Sequence, residues 1–248
     1  MPRTVLVTGG GRGIGAATAV LCAQRGWAVA VNCARDTAAA QRVVARIRAE
    51  GGTAIVVQAD VSDEAQVLAM FETLDAQMPP LAALVNNAGV VDVPARVDGM
   101  SLQRWQRMFA VNVFGSFLCA REAVQRMSTA HGGQGGCIVN LSSAAARLGS
   151  PGQYVDYAAA KAAIDAFTLG LAREVAAEGI RVNAVRPGII DTDIHASGGL
   201  PDRARQLAPM VPMQRAGSAE EVAQAIVWLM SDASSYTTGA IIDVSGGR

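Results

Sequence analysis

The 248-residue chain is poor in aromatic residues (4%), has two histidines and four scattered cysteines, and carries no net charge, 21 Lys and Arg balancing 21 Asp and Glu. Each shortage excludes something. Balanced charge removes the general attraction that draws basic chains to nucleic acid or an anionic membrane surface. Cys22, Cys33, Cys119 and Cys137 form no C-x-x-C pair and lie far in sequence from His131 and His195, so no metal-ligand spacing is present. Buried free thiols in a reducing cytosol are expected instead, and with them a cytoplasmic location. No uncharged apolar run reaches the ~18 residues of a membrane span, and the apolar stretch after Met1 meets glycine too soon for a signal peptide. The partner left by these exclusions is a small molecule.

What the chain does have is 51% hydrophobic residues, enough to bury a large core. Short β-rich runs, "RTVLVT", "AVAVN", "TAIVVQ", "LAALVNN", "GCIVNLSS", "IRVNAVRP" and "GAIIDVSG", alternate with helical stretches at 14–25, 36–50, 63–77, 102–128, 155–178 and 218–231. That alternation predicts an α/β fold with a doubly wound parallel sheet. Ser62 before Asp63 and Glu64, and Ser218 before Glu220 and Glu221, read as helix starts. No linker divides residues 1–248, so one domain is expected. The stretch 188–217, rich in Gly, Pro and Met, is long for a connection and predicts a lid. "HGGQGG" at 131–136 runs into a strand and reads as a flexible turn.

After the first strand comes "TGGGRGIGAATAVL", with glycines at 9, 10, 11, 13 and 15 before an apolar helix. Glycines there let the backbone approach a pyrophosphate, whose charge meets free N–H groups and the helix dipole. The end of the second strand then discriminates between dinucleotides, since an acid accepts from ribose hydroxyls whereas cations accommodate a 2′-phosphate. In "VAVNCARD" no acid appears before Asp36, and Arg12 with Arg35 can form a cationic notch, which favours NADP(H) over NAD(H). The competing reading leaves both arginines as solvated surface charges.

The segment "YVDYAAAK" places Tyr157 and Lys161 four residues apart on one helical face. Tyr154 lies about 10 Å from Lys161 along the axis, too far for contact. An ammonium beside Tyr157 would stabilise phenolate and lower a pKa of about 10 toward useful acid–base work.

"TGGGRGIG", "NNAG" at 86–89, Asn112 in "FAVNVFG", "NLSS" at 140–143, "YAAAK" at 157–161 and "RPGIIDT" at 186–192 occur in that order. Together they resemble the short-chain dehydrogenase/reductase family along essentially the whole chain, nearest to 3-oxoacyl-carrier-protein reductases and glucose dehydrogenases. The resemblance implies a Rossmann-like sheet of seven parallel strands with helices on both faces. It implies Tyr157 as general acid in carbonyl reduction and base in alcohol oxidation, and Lys161 lowering its pKa and bonding the nicotinamide ribose. Ser143, rather than Ser142, would polarise the carbonyl, and Asn112 would hold a water in a proton relay. For the cofactor it implies Gly9, Gly13 and Gly15 at the pyrophosphate, Arg12 and Arg35 toward the 2′-phosphate, and Ile14 and Asn32 among the other contacts. Asp60 and Val61 would touch the adenine. Asn87, Ala88 and Gly89 would line the cleft, and Pro187, Gly188, Ile189 and Thr192 would border the nicotinamide. Asn86 would be structural. The interval from Ser143 to Tyr157 is one residue longer than in the carrier-protein reductases, so their substrate is not carried over.

The expected activity is hydride transfer between NADP(H) and a carbonyl or alcohol, with no metal. A non-catalytic NADP(H)-binding sensor on the same fold is the rival. The resemblance also implies a homo-oligomer, tetramer before dimer, assembled through helices 102–128 and 155–178 and through the C-terminal strand. Tyr154 is open between a substrate-facing role and packing. His195 is expected in an exposed loop, and "LAPMVPMQR" is either an adaptable cover or a packing surface. Trp105, Met108 and Phe109 read as a buried stripe, and Asp156 as solvated.

Overall fold

The computed structural model describes residues 3–194 and 198–248. Seven strands, β1 (Thr4–Val7), β2 (Ala28–Cys33), β3 (Ala54–Gln58), β4 (Leu81–Asn86), β5 (Gly136–Leu141), β6 (Ile180–Pro187) and β7 (Ile241–Val244), form one parallel sheet in the order β3-β2-β1-β4-β5-β6-β7. These match the seven runs expected from the sequence. The central strands are buried along their whole length, which is why they read as continuous apolar runs instead of alternating ones.

Alternation persists in three dimensions, because successive side chains leave opposite faces of a strand. Val5, Val7, Val29, Val31, Val85 and Val139 pack against α1 (Gly13–Gln24), α2 (Thr37–Ala49) and α9 (Ala219–Met230). Leu6, Ala30, Leu84, Ile138 and Val182 pack against α3 (Glu64–Gln77), α5 (Gly115–Met127) and α7 (Val155–Val175), while the short helices α6 (Ala145–Leu148) and α8 (Arg203–Leu207) lie in connections after β5 and β6. Strand order reverses at β1, which has β2 on one side and β4 on the other. A cleft therefore opens beyond the carboxyl ends of β1 and β4, where connections leave in opposite directions. Among the described residues no helix is long and apolar enough to cross a membrane.

Helix boundaries differ from the sequence reading in instructive ways. The expected helix 102–128 is α4 (Leu102–Phe109), a π-helical turn (Ala110–Phe114) and α5 in succession. The wider turn carries Asn112, whose Nδ2 donates to the Met108 carbonyl at 2.9 Å and the Val90 carbonyl at 3.0 Å; such turns interrupt helices where a side chain is needed inside. Met108 is buried, while Trp105 and Phe109 are half-buried, so the expected stripe is one buried residue with partly covered neighbours. Helix α3 is capped by Asp63, which accepts from the Gln66 N–H at 3.2 Å, and not by Ser62, whose hydroxyl donates to Asp60 at 2.7 Å. Ser218 starts α9 with a complete capping box with Glu221. Asn86 is structural, donating to the Ser116 carbonyl (3.1 Å) and to Asn140 (3.0 Å), which donates in turn to Thr168 (2.9 Å).

Asp156 is not solvated. Its side chain is 1% exposed and receives two hydrogen bonds from Arg104 of α4, at 2.7 and 3.2 Å. The spacing that takes it off the face of Tyr157 turns it toward α4, not toward water. Arg104 also donates to the Val93 carbonyl at 2.6 Å, joining α4, the start of α7 and the loop after β4. Removing one partner of a buried pair leaves the other charge uncompensated. Asp156→Ala should therefore cost about 3–5 kcal/mol in urea unfolding, and an Arg104→Met/Asp156→Leu double variant should recover most of it.

Candidate active site

The glycine turn between β1 and α1 is built by close approach. A Cβ on Gly15 would stand 2.4 Å from the Gly9 carbonyl oxygen, and Gly13 has φ +53°, so larger residues cannot take these places without rearrangement. No side chain caps α1, leaving its first N–H groups directed to a cavity of about 440 Å³ lined by Gly9, Gly11, Gly13 and Ile14. Asn32 borders this cavity, but its hydrogen bonds go to the protein. Its Nδ2 donates to the Val57 and Ala59 carbonyls (3.2 and 3.0 Å), and its Oδ1 accepts from the Gly9 N–H (3.2 Å), which holds the turn in place.

Beyond the turn the cavity is bordered by Arg12, Arg35, Asp60 and Val61, as well as by Ala88 and Gly89. Both arginines are exposed. The nearest acid, Asp36, caps α2 and accepts from the Ala39 N–H at 2.9 Å. Asn87 ties the cleft to β1, its Nδ2 donating to the Thr8 and Gly9 carbonyls at 2.8 and 3.1 Å. A tight glycine cradle, uncapped helix donors and a cationic far end fit a dinucleotide.

A second cavity, of about 180 Å³, continues the first through Ile14, Asn87, Gly89 and Thr192, which line both. Ser143, Tyr157, Lys161, Pro187, Gly188 and Ile189 meet there. The Ser143 and Tyr157 side chains line it together, with Ser143 near enough to the phenol to favour its ionised form. Ser142 is turned away, donating to the Lys161 carbonyl at 3.2 Å, so the two serines of "NLSS" separate into one at the cavity and one that fastens α7. Lys161 Nζ donates to the Leu141 carbonyl at 2.6 Å and lies 5.7 Å from the centre of the Tyr157 ring. Asn112 Oδ1 accepts from the Val90 N–H at 3.1 Å; a Cβ on Gly89 would lie 2.8 Å from that oxygen and 3.6 Å from Lys161 Nζ. Gly89 is thus the gap across which Asn112 and Lys161 approach.

The expected lowering of the phenol is reversed. Burial pushes Tyr157 up to about 12, with Ser143 pulling the other way. The lysine reaches the face of the ring and spends its hydrogen bond on a carbonyl, so loss of hydration outweighs it. Burial also brings Lys161 down to about 8, opposed by the negative charge of Asp165.

Tyr154 is buried at the start of α7, lines the reactive cavity and lies under Arg203, whose guanidinium carbon is 5.0 Å from its ring centre. It both packs and faces the cavity. Arg203 and Arg248 line the cavity too, and neither was legible in the sequence, because no local pattern brings residue 248 near residue 157. His195 lies outside the described residues. Met210 and Met213 are exposed, while Val211 between them is buried.

A family model described as enoyl-(acyl carrier protein) reductase matches residues 9–248. The chain belongs to the short-chain dehydrogenase/reductase family. It is 59% identical over 98% of each chain to an uncharacterised oxidoreductase, YgfF, of Escherichia coli K12. It is 39% identical to a 3-oxoacyl-[acyl-carrier-protein] reductase of a Synechocystis species, covering 99% of this chain and 96% of that one. A short-chain type dehydrogenase/reductase structure from Mycobacterium marinum superposes with a TM-score of 0.92 at 36% identity, over 99% of this chain and 94% of that one. This short-chain dehydrogenase/reductase is accordingly an oxidoreductase of the nicotinamide-dependent kind.

The buried lysine gives a pH signature. Its folded-state pKa, about 8, is below the ordinary 10.5, so between those values the unfolded chain binds more protons and the lysine's contribution to stability rises with pH. The buried thiols, all raised, act in the opposite direction at high pH. Comparison with Lys161→Met cancels them. The stability of the native chain minus that of the variant should increase between pH 8 and pH 10 in urea titrations; a flat difference would contradict the burial of the amine.

Proposed function

We propose that the protein interconverts a ketone or aldehyde and the corresponding alcohol, with NADP(H) as its redox partner. The observation that carries this reading is the hydroxyl pair of Ser143 and Tyr157, beside buried Lys161, where the nucleotide cleft runs into the smaller cavity. When bound, NADP(H) would supply the hydride, or NADP+ accept it in the reverse direction.

In reduction, Tyr157 donates its proton to the carbonyl oxygen as that oxygen gains negative charge, and Ser143 donates a hydrogen bond to the same oxygen. A phenol near 12 stays protonated at neutral pH and is ready as an acid. The phenolate left behind is stabilised by Ser143 and by the ammonium of Lys161. In oxidation the same proton returns, phenolate acting as base. After reduction Lys161 would pass a proton to that phenolate, and Asn112, close to Lys161 across Gly89, would hold the water that reprotonates the lysine. Gly9, Gly13, Ile14 and Gly15 would take the pyrophosphate. Asp60 and Val61 would take the adenine, and Pro187, Gly188, Ile189 and Thr192 the nicotinamide. Arg12 and Arg35 would take the 2′-phosphate; the engagement of Asp36 as a helix cap supports this, since no other acid follows β2 closely.

The sensor reading is disfavoured by the hydroxyl pair, which binding alone does not require. The segment 188–217 would act as the lid of what we read as one domain. The stacked pair Phe117 and Phe167, 3.7 Å apart, with exposed Phe114 and Leu169 nearby in sequence, supports oligomerisation through α5 and α7. Four buried free thiols support a reducing, cytoplasmic setting.

Two measurements test the reading. Tyr157→Phe should lower carbonyl-dependent NADPH oxidation by about 10²–10⁴-fold while NADPH still binds in fluorescence titration; retained turnover would remove the phenol from the mechanism. Arg35→Asp should shift the ratio of NADPH to NADH affinity toward NADH by about tenfold or more, and an unchanged ratio would refute the cationic notch.

A further inference from the structure

The electrostatics of the reactive cavity point to a narrower class of substrate. Among the described residues that line it are two guanidinium groups, Arg203 and Arg248, besides the Lys161 ammonium, and no Asp or Glu side chain. Neither arginine has an ion-pair partner among the described residues, although Arg147, next to Arg248, pairs with Asp243 at 3.2 Å. Arg248 Nη1 is shielded from solvent and has no hydrogen-bond partner. A buried donor on a permanent cation is costly unless something completes it.

Both arginines are held by their surroundings. The Arg248 carbonyl accepts from Arg147 Nη2 (3.3 Å) and from the Ser245 hydroxyl (2.9 Å). Ser245 in turn packs so tightly on Gly188 that a Cβ there would stand 2.7 Å from its Cα. Arg203 lies over the Tyr154 ring and donates to Gln153 at 2.6 Å. The cavity, at about 180 Å³, admits only a compact group.

We propose that the substrate carries an oxyanion, a carboxylate or a phosphate monoester, and that Arg248 with Arg203 binds it while Tyr157 and Ser143 address the carbonyl. This rests on the oxidoreductase reading above and adds what that reading leaves open. Guanidinium matches both oxyanions through paired N–H···O bonds, and the anion supplies the acceptor that Arg248 Nη1 lacks.

The test uses the full chain with NADPH and matched pairs: acetoacetate and levulinate against their methyl esters, and dihydroxyacetone phosphate against dihydroxyacetone. The expected result is that kcat/KM for at least one anion exceeds that for its neutral partner by about tenfold or more. Arg248→Gln and Arg203→Gln should each shrink that ratio by about tenfold, mainly through KM, with Arg248→Lys restoring part of it. NADPH affinity in each variant reports that the fold is intact. Equal use of anion and neutral partner, or a ratio unmoved by both variants, overturns the proposal while leaving the oxidoreductase reading standing. Where no carbonyl compound oxidises NADPH, calorimetric titration of the NADPH-loaded protein with the same anions decides separately. Binding lost in Arg248→Gln upholds the anion site and sinks the redox reading; absence of binding sinks the anion site.

Discussion

The hydrogen bond from the Lys161 ammonium to the Leu141 carbonyl, 2.6 Å long and buried, fastens α7 to the carboxyl end of β5. A second bond, from the Ser142 hydroxyl to the Lys161 carbonyl, ties the same residue back to the segment that follows the strand. An amine in so dry a place is tolerated only with partners, because desolvation disfavours its charged form. Once Lys161 is fixed there, Tyr157 sits one turn earlier on α7 beside the cavity, and Ser143, two residues beyond Leu141, falls within reach of its hydroxyl. The parallel sheet then brings the glycine turn of β1 to the same edge.

Charge is sorted across this edge. Behind Lys161, Asp165 accepts from Arg186 at 2.8 Å, Arg186 approaches Asp243 at 3.9 Å, and Asp243 pairs with Arg147 at 3.2 Å. Acids are thus built into the scaffold side of the site, with cations facing the cavity. The same division operates at the nucleotide end, where Asp36 is turned into the α2 cap and Arg12 and Arg35 border the cleft.

Much of this was legible before any coordinates. Seven apolar runs became seven strands because a sheet covered on both faces needs continuous apolar character, and the glycine spacing marked the turn because only small residues permit that backbone approach. Helix starts were read to within a residue, yet Asp63 and not Ser62 caps α3, since both side chains can accept and the local turn with Asp60 decides between them. The π turn at Asn112 left no trace in periodicity. Asp156 beside Tyr157 looked like a solvated acid, and only the packing of α4 against α7 supplied Arg104 as its partner.

The sequence by itself determined the fold class, the nucleotide turn and the helical pairing of Tyr157 with Lys161, because these depend on periods and spacings within a few residues. The tertiary structure decided how burial tunes those groups. Hydration is lost through residues distant in the chain, so the phenol rises to about 12 where proximity to an ammonium alone predicted a fall. It also decided what faces the substrate. Arg203 and Arg248 reach one cavity only because β6, β7 and the helix at Arg203–Leu207 converge on it, a juxtaposition that no local pattern encodes.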